Sequence, residues 1–231
     1  MNIVILVKDR PALTRQCITT LLENTDPPYT VTIVDDESKP ETEFMLKMAA
    51  RQERITVLRN VKSKGITGQV RNLGVYWSRH YWGKSDLLYL SDNDVAFTPH
   101  WNTTLIDAYC WSKTQGVRLL GGQNHPYHQH TDSIDAPPHS AWQEVRIYGA
   151  VAGTSQLMTF ETWDKYGPLD AHAAGVCQSE DHKFCQQIVK DGYRVGAIWP
   201  HVVIDCGIHQ TDGSLSVGHE AKARVEGIIY G

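Results

Sequence analysis

Residues 86–94 read Asp86-Leu87-Leu88-Tyr89-Leu90-Ser91-Asp92-Asn93-Asp94. Four consecutive apolar side chains without alternation suit a strand buried on both faces, as in a parallel sheet covered by helices. The run stops abruptly in two carboxylates one residue apart. In an open α/β sheet, ligands bind at the carboxyl ends of the strands, so these acids fall where chemistry is expected.

Working outward toward residue 1, the same grammar repeats. Asn2 to Val7 is an apolar, β-branched run, followed by Lys8-Asp9-Arg10-Pro11, with the proline suited to open a helix. Leu13, Cys17, Leu21 and Leu22 carry helical spacing, and a second strand, Tyr29 to Val34, halts at Asp35-Asp36-Glu37-Ser38. A helix from about Pro40 to Arg51, a short strand Ile55 to Arg59, a polar loop Asn60 to Gly68 and a helix Gln69 to Trp82 complete the pattern. Alternation of this kind predicts an α/β fold with a parallel sheet and crossover helices.

Toward the other end the pattern loosens. A helix is expected over Trp101 to Ser112, a strand near Leu119, and a long loop over the His-, Pro- and Asp-rich stretch Asn124 to Trp142. Ala150 to Phe160 reads as extended, and Ser179 to Lys190 as a helix with Phe184, Ile188 and Val189 on one face and Gly192 as its stop. Tyr193 to Ile198 and Val202 to Cys206 read as strands, before a polar, glycine-rich tail.

With 231 residues, 41% of them hydrophobic and 21% charged, the composition is that of a globular protein. A single domain over 1–231 is expected, its halves at about 1–98 and 99–231. No apolar run reaches the roughly 18 residues of a membrane span, and the first residues lack the features of a secretory leader. Five cysteines (Cys17, Cys110, Cys177, Cys185, Cys206) without paired short spacing read as reduced thiols, which places the chain in the cytoplasm. The net charge of −4 gives no general signal for nucleic acid. Between Lys47 and Lys84, however, nine basic residues stand against the single acid Glu53, either a solvated face or a rim for a polyanion.

A carboxylate after one strand can accept hydrogen bonds from a base or ribose. An Asp-x-Asp after another can hold a hard cation, which takes one or two carboxylates and completes its shell with phosphates and water. Asp36, with Asp35, supplies the first; Asp92 and Asp94 supply the second.

The order VILVKDRPALTRQCITTLLENT, VTIVDDES, a basic segment ending Arg71-Asn72, and LLYLSDNDVAF resembles the nucleotide-sugar-binding half of family-2-type glycosyltransferases of the GT-A fold. The later SEDHKFCQQIVKDGYRVGAI is similar to that family's Glu-Asp helix and following Gly-Tyr-Arg-Val. The resemblance implies a GT-A fold with a nucleotide-binding half and an acceptor half. It also implies a Mn²⁺- or Mg²⁺-dependent transfer from a nucleotide-diphosphate sugar, UDP-sugar favoured, to an acceptor hydroxyl. Donor contacts would fall to Asp35, Asp36, Arg71, Asn72, Asp92 and Asn93, and the metal to Asp94 with Asp92. Asp181 would be the general base of an inverting displacement, with Glu180 as the fallback. His209, in CGIHQTDGS, would close the metal site, with His219 the weaker candidate. A C-terminal histidine also occurs in retaining relatives, which leaves the stereochemistry open. Gly153 and Thr154 would lie near the acceptor.

Trp142 is a candidate sugar-stacking platform and also a candidate core residue. The cluster His125, His128, His130 and His139 matches no common zinc spacing, and a lid touching the acceptor suits it better. The acceptor is open among glycan, protein, small molecule and, from the basic stretch alone, hydroxymethylated phage-type DNA. Two other classes compete. A nucleotidyltransferase would show a glycine-rich loop after the first strand, where this chain has Lys8-Asp9-Arg10-Pro11. A non-catalytic sugar-binding module would not need intact carboxylates at both motifs.

Overall fold

The computed structural model describes residues 1–61, 67–124, 129–170 and 180–207. The elements run β1 (Asn2–Val7), α1 (Pro11–Asn24), β2 (Thr30–Asp35), α2 (Pro40–Ala49), β3 (Ile55–Arg59), α3 (Thr67–Trp82), β4 (Leu87–Asp92), β5 (Val95–Phe97) and α4 (Trp101–Lys113). Then follow β6 (Val117–Gly121), β7 (Asp132–Asp135), β8 (Glu144–Tyr148), β9 (Ser155–Thr159), α5 (Phe160–Tyr166), α6 (Glu180–Lys190), β10 (Arg194–Trp199) and β11 (Val203–Asp205).

Among the described residues, nine strands form one sheet in the order β3-β2-β1-β4-β9-β6-β10-β8-β7, and β5 pairs with β11 in a small second sheet. β3, β2, β1 and β4 are parallel, as the buried apolar runs predict. β9 runs antiparallel to both β4 and β6, which makes the whole sheet mixed.

Because side chains alternate across a strand, the sheet builds two cores. Ile3, Ile5 and Val7 of β1 face one way, toward Cys17, Ile18 and Leu21 of α1 and Leu46 of α2. Val4 faces the other way, in a cluster with Val75 of α3 and with Phe184, Cys185 and Ile188 of α6. Each such fully buried aliphatic side chain is worth about 1.5–3 kcal/mol of transfer free energy. α3 lies so close to the sheet that a Cβ on Gly74 would collide with Val4 and would meet Val34 Cγ2 at 2.9 Å.

Register explains where the acids go. Val7, the last residue of β1, pairs with Asp35, and Leu6 pairs with Asp92. Both acids therefore end neighbouring strands at one edge, flanking β1. Ser91 pairs with Ser155, so the segment leading into β9 enters at that same edge.

Three details depart from the sequence reading. The stretch 124–142 is not loop throughout, since β7 pairs antiparallel with β8 at the sheet's edge. Residues 150–160 are extended only from Ser155, and Phe160 already opens α5, capped by the Thr159 side chain. In α6 the buried face is Phe184, Cys185 and Ile188, while Val189 is 42% exposed. No helix among the described residues is long and apolar enough to cross a membrane.

Candidate active site

Arg71 is the hinge of the acidic edge. It sits one turn into α3, and its side chain is only 4% exposed. Nη2 donates to Asp92 Oδ1 at 2.6 Å and Nη1 to Glu180 Oε1 at 3.2 Å. The end of β4 and the start of α6 are thus joined through one buried cation. Burial alone would lower the guanidinium's pKa, but the charges of Asp92 and Glu180 outweigh it and hold the pKa above its ordinary value. Glu180 is pushed up, first by burial, with Arg71 opposing. Arg71 Nε finds no partner among the described residues.

Gly153 completes the contact. A Cβ there would run into the Arg71 guanidinium, so the backbone closes over the cation only because the residue is glycine. Its N–H donates to Asp181 Oδ2 at 2.8 Å, and the N–H of His182 donates to Oδ1 at 2.7 Å. Two backbone donors therefore fix the Asp181 carboxylate at the start of α6, where the helix dipole favours an acid. Thr154 sits beside it, its carbonyl accepting from Ser91 Oγ at 3.0 Å and its hydroxyl accepting from Gln123.

Asp94 lies just beyond β4, between β4 and β5. Its Oδ2 accepts from Arg10 Nη1 at 2.5 Å, and its Oδ1 is buried with no partner among the described residues. Burial pushes its pKa up to about 6, helped by the charges of Asp92 and Asp205 and opposed by Arg10. Among the described residues no group of three or more His, Cys, Asp or Glu is placed to hold a metal ion. The chemistry still fits a hard cation. Mg²⁺ and Mn²⁺ are commonly held by one or two carboxylates with the rest of the shell from substrate phosphates and water. An orphaned oxygen on Asp94 and a 25% exposed Asp92 supply that much.

The remaining candidates are placed as follows. Asp36 Oδ1 accepts from Asn60 at 2.7 Å, and Lys8 Nζ donates to the Asp36 carbonyl at 2.5 Å. Asp35 is 1% exposed with both oxygens engaged, Oδ1 by the Ser38 N–H at 2.9 Å and Oδ2 by Arg59 at 2.6 Å. It shapes the loop after β2 rather than facing a ligand. Asn72 exchanges two hydrogen bonds with the Leu169 backbone, at 2.9 and 2.8 Å. Asn93 donates to the Asp9 carbonyl at 3.1 Å and to Thr14 Oγ1 at 2.6 Å. Both amides brace loops around the site.

Trp142 is a core residue: it is 3% exposed and its indole donates to Asp107 at 2.8 Å, so it offers no face to a sugar. His125, His128, His209 and His219 lie outside the described residues. His130 sits edge-on to Tyr148, with ring centroids 6.2 Å apart.

Sequence reasoning missed Arg10, Gln123 and Asp205. Arg10 had a signal, a cation in the loop after β1 facing two acidic strand ends. Of the five non-glycine residues with left-handed backbone among those described, Asp9, Arg10 and Glu37 belong to the two loops at this edge, and such strain concentrates at functional sites. A cavity of about 620 Å³ lined by Lys84, Tyr109, Lys113 and Thr159 opens at the opposite end of β4. No acid of the cluster lines it.

A family model described as glycosyl transferase family 2 matches residues 2–152. Among solved structures, the chain is similar to the mannosyltransferase PcManGT from Pyrobaculum calidifontis, in complex with GDP-Man and Mn²⁺. The identity is 16%, with TM-score 0.60, covering 85% of this chain and 55% of that one. It is similar also to GalNAc-T7 with UDP, GalNAc and Mn²⁺, at 14% identity and TM-score 0.65, covering 85% and 42%. A third is S. aureus TarS 1-349, at 13% and 0.60, covering 87% and 58%. The chain thus spans about half the length of these proteins. No curated protein matches it by sequence.

Proposed function

The chain belongs to glycosyl transferase family 2 and has the GT-A fold, and from that premise we propose that it moves a sugar from a nucleotide-diphosphate sugar, UDP-sugar favoured, to an acceptor hydroxyl. The observation that carries the reading is the convergence on Arg71 of Asp92, at the end of β4, and Glu180, at the start of α6. Two acidic motifs far apart in sequence meet in one buried cluster, with the Asp181 carboxylate fixed beside them by the Gly153 N–H.

In this reading Asp36 and the loop after β2 receive the nucleoside. Asp92 and Asp94 would hold a divalent cation, Mn²⁺ or Mg²⁺. When bound, that cation offsets the negative charge that grows on the departing diphosphate. Arg71 keeps Asp92 oriented. Asp181 takes the proton of the acceptor hydroxyl as its oxygen attacks the anomeric carbon, and the diphosphate leaves from the opposite face, so the product is inverted. Gly153 and Thr154 line the acceptor side. Structures bound to GDP-Man and to UDP, each with Mn²⁺, support this class of donor and metal.

A thermal-shift screen of nucleoside diphosphates with and without Mn²⁺ tests the donor site, because a ligand that binds only the folded state raises the melting point. The expected result is a shift for at least one diphosphate that requires the metal and disappears in Asp94→Asn. A screen without any metal-dependent shift would overturn the reading.

A further inference from the structure

The segment linking β1 to α1 is held in an unusual shape. Asp9 and Arg10 both have left-handed backbone, φ 53° and 54°, a region that L-residues other than Asn and Asp seldom enter. Five hydrogen bonds pin it there. The Asp9 N–H donates to Ser38 Oγ at 2.9 Å, and Asp9 Oδ1 accepts from the Lys39 N–H at 2.7 Å. The Asp9 carbonyl accepts from Asn93 at 3.1 Å and from Thr14 Oγ1 at 3.0 Å, and Thr14 Oγ1 also reaches the Arg10 carbonyl at 2.9 Å.

Arg10 occupies the cap position of α1, yet its side chain does not cap the helix. The distortion instead delivers its guanidinium to Asp94 Oδ2 at 2.5 Å. Asp94 would otherwise face the charges of Asp92 and Asp205 uncompensated. The pair is asymmetric in freedom. Asp94 is 15% exposed, while Arg10 is 33% exposed and has room to leave.

We infer that Arg10 is the resident counter-ion of Asp94, holding the carboxylate until a divalent cation displaces it and then turning to a phosphate oxygen of the donor. The inference rests on the metal reading proposed above. The two oxygens of one carboxylate are so close together that a divalent cation on the open Oδ1 and the guanidinium on Oδ2 repel each other strongly. A metal arriving alone must therefore eject Arg10 with no new partner for it. A metal arriving with a diphosphate brings one, since guanidinium matches phosphate geometry well. Arg10 thereby couples metal binding to donor binding, and coupling of this kind is reciprocal.

Mn²⁺ binding to the full chain, followed by electron paramagnetic resonance with and without UDP or GDP, tests it. The proteins compared are wild type, Arg10→Asn, Arg10→Gln and Asp94→Asn. Asn tolerates the left-handed backbone, and Gln keeps most of the side chain's length while losing the charge, so a folding defect in one variant leaves the other informative. Both neutral variants are expected to bind Mn²⁺ alone about fivefold more tightly than wild type, the upper end of the effect an incompletely buried charge pair carries. The factor by which the nucleotide tightens Mn²⁺ should fall by a similar amount. Mn²⁺ binding that needs Asp94 but is no tighter in either Arg10 variant would overturn the inference and leave the metal reading standing. Mn²⁺ binding that is absent, or indifferent to Asp94→Asn, would overturn both.

Discussion

Arg71 Nη2 lies 2.6 Å from Asp92 Oδ1, and the guanidinium that makes this contact is all but sealed from solvent. A buried cation of this kind is not a stabilising ornament. Removing one member of a buried pair leaves the other charge stranded, which costs about 3–5 kcal/mol. Here two carboxylates, Asp92 and Glu180, would be stranded together. Arg71→Ala is expected to lower the melting temperature by at least about 6 °C at roughly 2–4 °C per kcal/mol, and to abolish the metal-dependent nucleotide shift. A melting curve that overlays the wild type would show that Arg71 does not organise the edge.

Gly153 is expected to be intolerant of a single added methyl. In Gly153→Ala the new carbon would press on Arg71 Nη2 and Cζ, at 2.9 and 3.0 Å before relaxation. The same residue's N–H anchors Asp181. Overpacking costs typically about 1–3 kcal/mol, which a domain can survive, but a misplacement of about 1 Å at reacting groups can cost about 100-fold in rate. The variant should therefore fold, by chemical denaturation, and lose most transfer activity. Activity within twofold of wild type would mean that Gly153 is a packing glycine only.

Asp181→Asn separates binding from chemistry. One of the two backbone bonds, from Gly153 or His182, would be lost, a stability change of about 1 kcal/mol. Removal of a general base should lower transfer by about 10²–10⁴-fold, with nucleotide affinity nearly unchanged by calorimetry. If transfer persists, the role passes to Glu180, whose pKa is raised by burial, and Glu180→Gln becomes the decisive variant.

Why these groups were legible in sequence and others were not is a matter of burial and range. β1, β2 and β4 are buried on both faces, so their apolar runs are continuous and their ends abrupt. Position at a strand end was enough to bring Asp35 and Asp92 to one edge. It could not tell that Asp35 would be consumed by Arg59 while Asp92 stayed partly exposed, because that depends on a partner from β3. β7 is a short edge strand that exposes three of its four residues, and β8, second from that edge, has only five residues, so neither carries a strong pattern. The burial of Trp142 against Asp107 of α4 is likewise a long-range event. Arg10 escaped notice because its role depends on a left-handed backbone that Asn93, Thr14 and Ser38 impose from elsewhere.

His201 should make stability depend on mild acid. Its ring is packed edge-on to Trp199 at 5.2 Å, and Nε2 is buried without a partner among the described residues. Burial, helped by the charge of Arg146, lowers its pKa from 6.5 to about 4. The unfolded chain therefore takes up this proton before the folded one does, and the stability that neutral His201 allows is complete above its unfolded pKa. It is lost as pH falls toward 4, by about 2 kcal/mol at pH 5. Asp94 acts in the opposite sense, because its folded pKa of about 6 lies above the unfolded value of 3.8. It favours the folded state most at low pH, and that benefit fades as pH rises through 6. The absolute slope mixes the two, so the difference between variants is what isolates the histidine. His201→Gln is expected to lose about 2 kcal/mol less than wild type between pH 7.5 and pH 5, measured by urea denaturation at each pH. Parallel losses in the two proteins would mean that His201 takes up its proton as readily in the folded state as in the unfolded chain, and that the packing against Trp199 does not exclude it.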